Sequence, residues 1–232
     1  MRSILFILLF SFPFLAYSQF ATIQNKDGMV FVRTNPDQAS AVKDTLNPND
    51  LYYYLGFAAK NSQSDWAQID CFKNNGKHKG AGFIPKSSMK LLSVFDSLPR
   101  VKNDPKMAVF QKDSIILSVK TSDFAVKTGA KGTAREMVEH TIQKKAFGVK
   151  FNLPNTQLNA IEINYGAKKI GIPKAAIDDL YFFHLEDLKV YYDKQTNAIY
   201  ILMDGSDAGD SYDVLWKIEK GKYKFRIIEV GF

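Results

Sequence analysis

Apolar residues in this chain recur at every second position in short runs, and turn-forming residues break the runs. The stretch "IEINYGAKKIGIP" sets Ile161, Ile163, Ile170 and Ile172 on one face around a Tyr-Gly turn. "LKVYYDKQTNAIYILM" reads as a second hairpin. "YDVLWKIEKGKYKFRIIEV" turns at Lys220-Gly221 and offers Val214, Trp216, Ile218, Tyr223, Phe225 and Ile227 for burial. A period of two belongs to a strand with one face against a core. From Phe20 to about Pro99, "MVFVR", "DLYYYLGFAA", "DWAQIDCF" and "GFIP" extend the pattern. Only "TAREMVEHTIQKK" and "PKAAIDDLYFFHLEDL", the latter opening at Pro173, suggest short helices. "DSLPRVKNDPK" carries two prolines and mixed charge, and reads as a linker. The expected fold is mostly β. A β-rich unit over 19–95 and a linker over 96–105 precede a second β-rich unit over 106–232, a sandwich or open sheet with one or two short helices.

The first eighteen residues are expected to stand outside that fold. A basic start at Arg2, the apolar run "ILFILLFSFPFLA" and the small-x-small triplet Ala16-Tyr17-Ser18 form the pattern of a cleaved secretory signal. Ile4 to Tyr17, broken by Ser11 and Pro13, falls short of the about 20 residues that span a bilayer. The mature chain is expected to begin at Gln19, secreted or periplasmic, with no stable membrane span. The formal net charge of +7 is spread evenly along the chain, and "KNNGKHKG" is its only dense basic run. Nucleic-acid binding would need those charges gathered into a patch, so no nucleic-acid partner is expected. The single cysteine, Cys71, cannot form an internal disulfide, so the fold must rest on its core. In "WAQIDCF" it shares parity with Ala67 and Ile69 and reads as a small buried hydrophobe.

The ordered set "KDGMVFVRTNPDQASAVKDTLNPND", "SDWAQI" and "GAGFIPKSSMKLL" resembles the bacterial SH3 family over residues 20 to 93. It follows the family's order of an Asp-Gly before a Val-x-Val-Arg strand, a polar loop, an Asp-Trp strand and a closing Gly-aromatic strand. Phe31 stands where the family commonly has Asn, and "FKNNGKHKG" lengthens one hairpin. The resemblance implies a small β-barrel that recognises cell-wall peptide or an envelope protein. The C-terminal half is loosely similar to modules of secreted bacterial proteins that have no known activity.

Catalytic patterns are sparse. A cysteine peptidase needs a thiol paired with a histidine, and the only Cys lies within the SH3-like half. A zinc hydrolase needs about three converging ligands. His78, His140 and His184 match no such spacing, although Glu136 would share a helical face with His140, and Glu186 strand parity with His184. No Gly-x-Ser-x-Gly elbow occurs. A carboxylate pair for glycoside hydrolysis leaves no local signature and stays open. The stretch "DGSDAGDSYD" holds Asp204, Asp207, Asp210 and Asp213 at intervals of three, without the closing Glu of a helix-loop-helix calcium site. It reads as a turn, with calcium in another geometry and catalysis as the alternatives. The sequence thus points to a non-enzymatic binding protein without cofactor or metal. The rivals are a cell-envelope hydrolase with its site in the C-terminal half, and a secreted inhibitor or immunity-like protein.

Strand parity selects the binding residues. Val30 and Val32, then Leu51, Tyr53, Leu55 and Phe57, then Ala67, Ile69 and Cys71, are expected to fill the barrel. The opposite parity leaves Phe31, Arg33, Tyr52, Tyr54 and Trp66 outside, a mixture of flat rings and polar groups suited to a peptide groove.

Overall fold

The computed structural model describes residues 19–24, 28–57, 65–72, 75–207 and 209–230; the segment read as a signal, 1–18, lies outside them. Seven strands form the N-terminal sheet: β1 (Gln19–Ile23), β2 (Val30–Arg33), β3 (Val42–Leu46), β4 (Leu51–Phe57), β5 (Trp66–Phe72), β6 (His78–Pro85) and β7 (Met89–Leu91). Their order is β3-β2-β6-β5-β4-β1-β7, and among the described residues no ladder joins β3 to β7. The expected closed barrel is therefore an open sheet. It is nevertheless strongly curled. Leu46 on β3 and Leu91 on β7, at opposite edges, belong to one apolar cluster with Val30, Val32, Ala67 and Ile69. Cys71 lies in that cluster too, and burial pushes its thiol up to about 12, as suits a packed hydrophobe rather than a nucleophile.

The rest of the chain forms two five-stranded antiparallel sheets. Their strands are β8 (Asp96–Ser97), β9 (Arg100–Asp104), β10 (Met107–Lys112), β11 (Ile115–Asp123), β12 (Thr156–Tyr165), β13 (Lys168–Gly171), β14 (Lys189–Asp193), β15 (Ala198–Ser206), β16 (Ser211–Glu219) and β17 (Lys222–Val230). One sheet runs β13-β12-β11-β10-β9 and the other β17-β16-β15-β14-β8. They face each other across a core that includes Leu117, Ile161, Ile163, Ile170, Val214 and Trp216, which makes this part a sandwich. The stretch expected as a linker is structured. Its prolines fall between short pairings, and β8 and β9 edge the two sheets.

The β17-to-β8 sheet is the middle layer of the molecule. Its second face packs Tyr200, Leu215 and Ile227 against Phe20, Leu51, Tyr53 and Phe72 of the N-terminal sheet. Burial on both sides explains the unbroken apolar run Ala198–Ile201, where simple alternation would have left one face polar. It also explains β17. A register shift between Lys217 and Ile218 sends Tyr223 toward the sandwich core, and Phe225 and Ile227 toward the N-terminal sheet. Lys220 and Gly221, with φ of 52° and 70°, make the tight turn that the Lys-Gly pair implies.

One α-helix is present among the described residues, α1 (Ala134–Ile142). Thr133 and Glu136 close its N-terminus as a reciprocal capping box, and Gln143 ends it in the left-handed conformation. The Pro173 segment makes only single 3-10 turns at Lys174–Ala176 and Leu185–Asp187. Among the described residues no helix is long and apolar enough to cross a membrane.

Candidate functional site

Tyr52 and Tyr54, expected on the outside, point into the curl, at 0% and 7% exposure. Parity fails here because both faces of β4 are apolar and both are covered. Leu51 and Tyr53 face the middle layer, while Tyr52 and Tyr54 fill the inner cluster. A tyrosine tolerates that burial when its hydroxyl is satisfied, and Tyr52 donates to the Thr22 carbonyl at 3.1 Å. The side chain of Phe57 lies outside the described residues.

Phe31, Arg33 and Trp66 do share the outer face. Arg33 on β2 stands opposite Phe83 on β6, and Phe83 opposite Gln68 on β5. Phe31 lies two residues from Arg33, and Trp66 two from Gln68, so all five occupy one side of three adjacent strands. Phe31 is 48% exposed, and Arg33, Gln68, Trp66 and Phe83 are half-buried. The Arg33 guanidinium donates to the Ser40 carbonyl at 2.5 Å, which pins it beside the 34–41 loop. Sequence reasoning missed Phe83. Its place opposite Arg33 follows from the β2-β6 pairing, which joins strands distant in the chain. Among the described residues the middle layer covers the end of this face that carries Tyr53, Asp70 and Phe72, and β3 beside it is a sheet edge.

Three of the four aspartates of the acidic stretch take different partners. Asp207 is buried and accepts from the backbone N–H groups of Lys150, Phe151 and Asn152 at 3.0, 2.7 and 2.9 Å, and from the Asn152 amide at 2.8 Å. Burial works to raise its carboxyl, but these donors outweigh burial and hold it at about 2. Asp210 pairs with Arg135 of α1 at 2.5 Å. Asp204 and Asp213 stand opposite each other on β15 and β16, and Tyr53 donates its hydroxyl to Asp213. The stretch is a fastening between hairpin, helix and the 150–152 turn.

Asp207→Ala is accordingly expected to cost roughly 3 kcal/mol at pH 7, since it strands several donors that served one charged acceptor. A carboxyl lowered from 3.8 contributes stability that is present above that value and lost as pH falls toward about 2. The gap between wild type and Asp207→Asn in urea denaturation should therefore narrow between pH 5 and pH 2. A gap independent of pH would show that the charge is not what the turn holds.

Among the described residues no three His, Cys, Asp or Glu side chains are grouped to hold a metal ion. The Glu136 carboxylate accepts from the Thr133 N–H at 2.7 Å, so the helix cap occupies it rather than any partnership with His140. His184 lies 3.8 Å from Glu186 on an exposed 3-10 turn. A cavity of about 400 Å³ opens where the N-terminal sheet meets the middle layer, with Tyr53, Asp204, Asp213, Asp187 and Lys189 among its walls.

Comparison with known proteins finds no matching family model, no matching curated protein and no matching solved structure.

Proposed function

We propose that this chain is an exported, non-enzymatic protein that binds extended peptide, from the cell wall or from an envelope protein, through the outer face of an SH3-like N-terminal half. The observation that carries the reading is the row Phe31, Arg33, Phe83 and Trp66 on one side of three adjacent strands, beside the edge strand β3. Flat rings offer contact area at little entropic cost, an arginine fork fixes a carbonyl or carboxylate, and an edge strand can add backbone hydrogen bonds. The SH3-like part of the reading rests on the sequence resemblance over residues 20 to 93.

The test is retention of the purified chain on insoluble cell wall and on immobilised envelope proteins. Phe31→Ala and Trp66→Ala are expected to weaken binding by about tenfold or more, with unchanged circular dichroism for the exposed Phe31. Tyr54→Ala is expected to destabilise the fold instead, because its ring is internal. Wild-type retention by Phe31→Ala and Trp66→Ala would sink the assignment of this face.

A further inference from the structure

The contact between the N-terminal sheet and the middle layer is crowded with carboxylates. Asp204, Asp213 and Glu229 line up directly opposite one another across β15, β16 and β17. Tyr53 of β4 reaches Asp213 from the facing sheet, so this row looks at the N-terminal sheet. Tyr53 is paired across its own ladder with Asp70 of β5, which brings a fourth carboxylate to the same seam. Two basic side chains answer them. His78 of β6 lies 2.9 Å from Asp70, and Lys189 of β14 acts on Asp213. The seam closes beside this cluster where Gly76 sits against the Arg226 carbonyl of β17. Like charges on opposing surfaces separate those surfaces unless something neutralises them.

We propose that this seam is a pH-responsive contact, in which the N-terminal sheet is held firmly to the middle layer in acid and is loosened as pH rises through neutrality. Glu229 is the group that sets the range. Burial first, then Asp70 and Asp213, raise its carboxyl to about 7 against the opposing pull of His78 and a backbone hydrogen bond at Val230. Burial also raises Asp213, against the Tyr53 hydroxyl and Lys189 and with the help of Asp204. A carboxyl raised in the folded state contributes stability that is complete below its ordinary value of 4.5 and is lost as pH rises toward about 7. In acid Glu229 is neutral and adds no charge to the seam. Above neutrality it ionises beside Asp70 and Asp213, and the hairpin tip leaves β17 more often.

The experiment is amide hydrogen exchange of the full chain at the 75–78 tip and along β17, corrected for intrinsic rates, between pH 5 and pH 8. Wild type is expected to lose protection there by about tenfold or more over that range, while the buried sandwich strands β11 and β12 lose little. Glu229→Gln is expected to match wild type at pH 5 and to keep its protection at pH 8. Asp70→Asn, which leaves Glu229 in place, should make the loss smaller and complete it at lower pH. A loss that persists in Glu229→Gln overturns the proposal, as does one abolished by His78→Asn but not by Glu229→Gln. An Asp70→Asn profile identical to wild type overturns it as well.

Discussion

Trp216→Ala is expected to cost about 3–5 kcal/mol and to lower the melting temperature on the order of 10 °C. Trp216 is fully buried on the middle layer, in the core between the two C-terminal sheets. Its indole N–H donates to the Ala176 carbonyl at 2.8 Å, which ties the Pro173 turn to β16. Truncation empties the largest fully buried side chain of the molecule and leaves that carbonyl without its donor. Trp216→Phe is the milder test: it keeps a six-membered ring in the core but loses the hydrogen bond and leaves a smaller void, for about 1–2 kcal/mol. Urea denaturation followed by circular dichroism measures both. A cost below 1 kcal/mol for Trp216→Ala would mean that the sandwich core does not depend on this ring.

Gly76→Ala should release the hairpin tip from β17. Gly76 has a φ of 79°, and a β-carbon there would collide with the Arg226 carbonyl oxygen, which is backbone and cannot swing aside. The left-handed backbone alone costs an alanine about 1–2 kcal/mol. Gly129→Ala isolates that part, since Gly129 has a φ of 88° and open space around it. The excess of Gly76→Ala over Gly129→Ala measures the close approach. An equal cost for both would show that the tip does not rest on β17.

Much of the architecture could be read from short-range pattern. The Tyr165-Gly166 and Lys220-Gly221 turns, the four isoleucines around the first of them, and the burial of Val30, Val32, Ala67, Ile69 and Cys71 all depend on neighbours within one hairpin or strand. The errors fall where a strand is covered twice. For β4, alternation distinguishes two faces but cannot say which is interior when "LYYYL" is apolar on both, and a tyrosine reads as exterior until its hydroxyl has a partner. For Phe225 and Ile227 a single bulge changed their side. The 96–105 segment looked like a tether because prolines and charges are also what edge strands carry. Of the candidate residues, the outer-face position of Phe31, Arg33 and Trp66 could be read from local alternation. Phe83 required knowing that β2 pairs with β6.

The double cover of the middle layer also bears on how the molecule is made. The N-terminal sheet is synthesised before the other two and can pair its own strands early, since its internal cluster draws on nothing downstream. Yet Phe20, Leu51, Tyr53 and Phe72 face residues more than a hundred positions later, so that flank stays wet and sticky until the last hairpin, β16 and β17, has been synthesised. The same flank makes the N-terminal half a poor traveller: cut out and grafted onto another protein, it would carry an oily surface made for one companion.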